Sequence, residues 1–241
     1  MNYFHDLLNW VAPMGAMILV LGRVVSNALA AQKPSPPPPS GLPGSLVPTP
    51  MPAPPVEVPK IDDGLTPQGV AELIFHESIC LEAYKDIKGI WTWGVGVTDA
   101  SGHTVERYID HPAQLSECLG VFIWLLRQTY LPAVKAAMGP LTETQLAAAL
   151  SFHYNTGAIG HATWVDHWKN GDAANAKLLF MEWDKPESIV GRRKQERDLF
   201  FNGAWAGDGT TLVYPVLKPS YQPDFHRGVK LYVIEALKTL L

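Results

Sequence analysis

The chain has little that would suit nucleic acid or a metal ion. Of its 241 residues only 17% are charged, the formal net charge is −4, and no run of Lys and Arg builds a basic field. Eight histidines are present, yet none has metal-ligand spacing: His161 and His167 are six apart, not the four of a helical zinc pair. No internal repeat is visible, and no cofactor or metal is implied. There are only two cysteines, Cys80 and Cys118. In an exported protein they can pair, in a reducing compartment they stay thiols, and in either case they suit a buried position as small hydrophobes.

What is present is unevenly spread. Hydrophobic residues make up 47% of the chain, enough for a substantial core, but 21 prolines are too many for one compact domain. Three zones result. Residues 1–31 are apolar, 32–60 are Pro-rich, and 61–241 read as globular. Setting aside Arg23, Lys33, Lys60, Asp6 and Glu57 leaves the globular zone at a net charge of about −5.

The apolar zone reads as a transmembrane or signal-anchor segment. From residue 7 to residue 31 the only charge is Arg23. The strongest part, LLNWVAPMGAMILVLG at 7–22, falls short of the roughly 20 residues that span a bilayer. Adding VVSNALAA at 24–31 makes it long enough, with Arg23 reaching toward a headgroup. The zone after it, KPSPPPPSGLPGSLVPTPMPAPPVEVPK at 33–60, cannot enter a helix interior or a central strand. It predicts an extended polyproline II spacer of roughly 80 Å.

The globular zone opens on TPQGVAELIFHE at 66–77. Thr66 is a suitable N-cap and Pro67 suits the first helical position, where its missing N–H costs nothing. Val70, Leu73, Ile74 and Glu77 recur at helical spacing, so Glu77 belongs beside the buried face near the C-terminal end. Desolvation there and the negative end of the helix dipole both favour the protonated carboxyl, as a general acid requires. The period then changes. In AYKDIKGIWTWGVGV at 83–97, Lys88-Gly89 offers a turn between two β-prone runs. A loop of odd length pairs Asp86 with Thr92 and puts both side chains on one face. An acid, a second carboxylate and a hydroxyl able to hold water are the parts of an inverting glycosidase. Glu and Asp nine apart are also what a solvated helix end and a turn acid look like, so the spacing alone does not decide.

The flanking residues do. Glu77, Leu81, Tyr84, Asp86, Gly89, Thr92, Gly94 and Gly96 resemble the signature of the phage-type lysozymes, the endolysin family of glycoside hydrolases. YKDIKGIWT at 84–92 and ECLGVFIWLL at 117–126 are most similar to its lambdoid branch, many of whose members carry an N-terminal signal-arrest-release segment. Two later blocks agree: TETQLAAALSFHYNTGAIG at 142–160, with a Thr142–Gln145 capping box, and GRRKQERDLFF at 191–201, with Arg192 and Glu196 paired one turn apart.

The resemblance implies an α+β lysozyme-like fold, mainly helical with a small β-hairpin lobe. It also implies hydrolysis of the β-1,4 bond between N-acetylmuramic acid and N-acetylglucosamine in peptidoglycan. By position Glu77 is the acid, Asp86 the base or electrostatic partner and Thr92 the holder of water. Gly96, Thr98 and Tyr154 fall at sugar-contacting positions. The catalytic domain then covers 61–202, followed by an extension over 203–241 packed on or near it. The tail RGVKLYVIEALKTLL at 227–241 reads as an amphipathic helix. The partners implied are glycan strands and, through residues 7–31, the inner membrane, for an exported, monomeric enzyme facing the periplasm or released into it. Two departures stand out: Ser78 replaces the Gly usual after the acid, and Val97 replaces a His whose ion pair often anchors its loop. A non-catalytic peptidoglycan-binding protein and a lytic transglycosylase are the competing functions; the first would lack an acid and the second has no need of Asp86 and Thr92. Cys80 lies between Glu77 and Asp86, so oxidation there would bear on the acid.

Overall fold

The computed structural model describes residues 62–241. The expected membrane segment and the whole of the Pro-rich spacer lie outside the described residues. Among the described residues, no helix is long and apolar enough to cross a membrane.

The first helix, α1 (Pro67–Glu77), starts as the sequence predicts: Gly69 N–H donates 2.9 Å to Thr66 Oγ1, and Pro67 opens the first turn. It runs into a three-stranded antiparallel sheet, β1 (Cys80–Lys85), β2 (Trp91–Gly94) and β3 (Val97–Thr98), in the order β1-β2-β3. The hairpin register differs from the expected one. Thr92 faces Tyr84, and Asp86 N–H donates 3.0 Å to the Ile90 carbonyl. Lys88-Gly89 makes a tighter turn than the sequence suggested, with Gly89 at φ 78, and the pairing slides by two residues. Because strand side chains alternate with period two, a two-residue slide keeps Asp86 and Thr92 on one face as diagonal neighbours.

The helical body follows. Helix α2 (Leu115–Leu125) passes through one π-turn (Leu126–Tyr130) into α3 (Leu131–Met138). Pro132 has no N–H to return along the helix, a reason for the widened turn before it. The central helix α4 (Glu143–Thr156) opens with the Thr142–Gln145 capping box and ends at Gly157, left-handed at φ 69. It is buried on nearly every side, and its alanines 147–149 let neighbouring helices come close. Helices α5 (Thr163–Lys169), α6 (Ala173–Phe180) and α7 (Val190–Asn202) close the body around Phe152, Trp164, Phe180 and Phe200, whose rings meet edge-on or tilted.

The 227–241 tail is not the single amphipathic helix expected. Residues 229–232 form a strand, β5 (Val229–Tyr232), antiparallel to β4 (Thr210–Val213), and only α8 (Ile234–Leu240) is helical. The apolar positions satisfied both periods, and pairing with β4 decided between them. Val233, Ile234 and Leu237 are buried in the main core.

Candidate active site

Glu77 is the last residue of α1 and is 5% exposed. Arg192 on α7 donates 2.5 Å from Nη1 to Glu77 Oε1 and 2.8 Å from Nε to Glu196 Oε1. Glu196 also accepts from Ser151 Oγ at 2.6 Å and from Arg193 Nη1. Arg193 in turn donates 2.5 Å to Asn155 Oδ1 and 2.9 Å to the Trp183 carbonyl. Two carboxylates and two guanidiniums thus form a buried, neutral cluster in which every charge has a partner, the condition under which buried charge is tolerated.

Within it the two carboxyls behave oppositely. Burial pushes Glu77 above the ordinary glutamate value, and Arg192 offsets only part of that. Burial acts on Glu196 in the same sense, but Arg193 and Arg192 together outweigh it and hold Glu196 low. Burial works against the charge on Arg192, and its two carboxylate partners more than compensate, so it stays cationic. Glu77 shares one guanidinium with a stronger competitor, and that leaves it the member of the pair able to carry a proton.

Asp86 directly follows β1, at 8% exposure. Its Oδ1 accepts from the backbone N–H of Lys88 and of Ile90, both at 2.8 Å, an Asx-type turn that fixes the carboxyl plane. Thr92, 5% exposed, donates 3.2 Å from Oγ1 to the Ile90 carbonyl. Thr98 faces Thr92 across β2–β3, so Tyr84, Thr92 and Thr98 form one row over three strands, with Asp86 diagonal to it. Tyr84 senses both carboxyls: burial first, then Cys80, Glu77 and Asp86, push its phenol well up. Tyr130 also feels Glu77, and burial plus that carboxylate push it up to about 12.

Gly96 sits in the turn from β2 to β3 at φ 79. Tyr154, read from the resemblance as a sugar contact, is instead 2% exposed, and its hydroxyl donates 2.5 Å to the Val95 carbonyl. It supports the glycine turn from behind and offers no polar atom to a ligand in this arrangement. Val97, where an ion-pairing His was the alternative, is fully buried. Its loop is held by core packing and by the 2.8 Å bond from Val105 N–H to Asp99 Oδ1. Both cysteines are free, buried thiols. Among the described residues no group of His, Cys, Asp and Glu is arranged to hold a metal ion.

The sequence reading missed the link between Arg192 and Glu77, which are 115 residues apart and carry no local signal of contact. The expected pair of Arg192 and Glu196 one turn apart does form, at 2.8 Å, and it is buried. The paired arginines of 191-GRRKQERDLFF-201 were the one available clue, because two adjacent cations on a helix with apolar flanks need buried anions.

A helical body, a small antiparallel sheet and a carboxyl-bearing helix end facing the hairpin characterise a lysozyme-like glycoside hydrolase. The sequence comparison gives the family: residues 75–196 match the model of the Phage lysozyme family, and the chain belongs to it as a hydrolase of the muramidase type. A SAR-endolysin of Escherichia phage Mu is 30% identical over 132 residues, covering 52% of this chain and 73% of that protein. The fold matches an endolysin from Escherichia coli O157:H7 phage FAHEc1 at TM-score 0.52 and 22% identity, over 58% of this chain and 94% of that one.

Proposed function

We propose that this protein is an endolysin-type muramidase that cleaves the β-1,4 bond between N-acetylmuramic acid and N-acetylglucosamine, with Glu77 as general acid and Asp86 and Thr92 directing water. The observation that carries the reading is the contrast at the helix–hairpin junction. Glu77 is buried, with its pKa raised, while Asp86 is held by two backbone N–H groups on the facing hairpin. Glu77 gives its proton to the glycosidic oxygen as the bond breaks. The Asp86 carboxylate, with the Thr92 hydroxyl beside it, takes a proton from water attacking the opposite face of the sugar. Likeness to a phage SAR-endolysin supports export, with residues 7–31 as membrane anchor and 32–60 as spacer toward the wall, ahead of a catalytic domain over 61–202. Cell lysis follows from loss of the glycan mesh.

Mass spectrometry of purified peptidoglycan after digestion tests the chemistry. Reducing muramic ends are expected. Anhydro-muramic ends would make the enzyme a transglycosylase, and no new ends would make it a binding protein on the same fold.

A further inference from the structure

The family match ends at residue 196, and the 203–241 extension beyond it makes its contacts at particular places. Glu72 on α1 accepts from Ala206 N–H at 3.1 Å and Gly207 N–H at 2.9 Å. Thr211 Oγ1 donates 3.0 Å to the Ile74 carbonyl. Ile79, two residues after the acid, is bonded on both sides: its N–H donates 2.9 Å to the Leu212 carbonyl, and its carbonyl accepts from Tyr214 N–H at 2.9 Å. Between them Ser78 adopts φ 60 and ψ −178, a region nearly reserved for glycine and strained for a residue with a side chain. Such a conformation persists only when its surroundings over-determine it, and here β4 supplies the surroundings.

The loop between β4 and β5 reaches the hairpin as well. Lys85, the residue before Asp86, donates its N–H 2.7 Å to the Tyr221 carbonyl. The Tyr221 ring stands edge-on to Trp91 at 5.0 Å, on the face of the hairpin opposite Asp86 and Thr92. Its hydroxyl donates 3.0 Å to Asp110 Oδ2, and Lys218 bonds Asp110 Oδ1 at 2.5 Å and also Glu82 on β1. One chain segment therefore grips the backbone beside each of the two proposed catalytic carboxyls.

From these contacts we infer that the C-terminal extension is a positioning clamp, which fixes the distance between Glu77 and Asp86 by holding Ile79 through β4 and Lys85 through the Tyr221 loop. The inference rests on the catalytic roles proposed above. Tyr221 and Lys218 are positioning residues in it, since neither touches the reacting atoms. A misplacement of about 1 Å in such a pair costs as much as a hundredfold in rate.

The test compares the full-length protein with the double variant Lys218→Ala/Tyr221→Ala and with Tyr221→Phe, by reducing ends released from soluble, uncross-linked peptidoglycan strands. The double variant is expected to lose about tenfold or more in kcat with KM unchanged within about twofold, while Tyr221→Phe, which keeps the ring on Trp91, stays near the parent. A folded double variant with parental kcat overturns the clamp, and so does a matched loss in kcat, KM and melting temperature, which would mark a general structural role. Should the double variant not fold, the surface change Lys218→Ala is read by amide exchange. Faster exchange at Ile79 and Lys85 supports the clamp, and unchanged exchange overturns it. A parent protein that releases no ends would sink the hydrolase reading instead, and the exchange experiment would still decide the clamp.

Discussion

Arg192 Nη1 lies 2.5 Å from Glu77 Oε1 while the same guanidinium binds Glu196 at 2.8 Å through Nε. One cation is shared between two carboxylates of unequal basicity, and its division decides which of them takes up a proton more readily. Arg193, bound to Glu196 and not to Glu77, tips that division.

Replacing Glu77 by Gln removes the proposed proton donor but keeps the shape and a carbonyl acceptor for Arg192. Activity should fall by about three orders of magnitude or more with a cooperative melting transition retained. In the proposed mechanism activity requires protonated Glu77, and its pKa is raised from the ordinary 4.5. The alkaline limb of kcat/KM should therefore lie above that value and fall as pH passes the raised pKa. A limb at the ordinary glutamate value would contradict the assignment.

Asp86→Asn separates chemistry from structure. An amide oxygen still accepts from the N–H groups of Lys88 and Ile90, so the turn and the melting temperature should be kept. Hydrolysis should drop by about a hundredfold or more, because an amide cannot take a proton from water. A variant with parental turnover would remove Asp86 from the mechanism.

Glu196→Gln leaves two buried guanidiniums facing one carboxylate. An uncompensated buried charge costs about 3–5 kcal/mol, visible as a fall in denaturant midpoint at constant slope. Glu196 also raises the Glu77 pKa by its charge. Its removal should shift the alkaline limb to lower pH as well, and a loss of stability without that shift would deny the coupling.

Acid should weaken the fold partly through His76. Burial, then Arg192, lower it from 6.5 to about 3, and its Nε2 lies 3.7 Å from Glu72 Oε1, too long for a hydrogen bond. Glu72, Glu196, Arg192 and Arg193 all act on this corner of α1. The unfolded chain protonates His76 below 6.5 and the folded chain does not until about 3, so stability is lost as pH falls through that window. Glu72, with its pKa raised, acts in the opposite sense. The difference in unfolding free energy between parent and His76→Asn should therefore narrow or reverse as pH is lowered from about 7 to about 4. A difference independent of pH would exclude His76 as the source.

The two thiols should be unreactive in the folded protein. Burial, then Glu117, push Cys118 up to about 12, and burial pushes Cys80 up further. Cys118 Sγ would meet a side chain placed on Gly94, whose strand partner is Cys80, so both sulfurs are packed beneath the hairpin. Iodoacetamide at about pH 8 should label neither until denaturant is added. Rapid native labelling of Cys80 would restore the redox connection to Glu77.

Local signals were enough for much of the site. Thr66 and Pro67 fixed the start of α1 by capping, and spacing from Val70 to Glu77 put that carboxyl at its buried end. The change of period at 83–97 identified the hairpin, and alternation placed Asp86 and Thr92 on one face even though their register was misjudged. These features depend on residues a few positions apart, so a sequence alone determines them.

Only the tertiary structure decided the rest. Arg192 meets Glu77 because α4 packs against both α1 and α7, the Tyr154 hydroxyl bonds the Val95 carbonyl, and 229–232 became a strand once β4 lay beside it. Each joins segments far apart in the chain, through burial and pairing that carry no local periodicity. That is why the sequence determined the place of Glu77 at its helix end, while its unequal share of Arg192 and the backbone grip of the extension came from the fold.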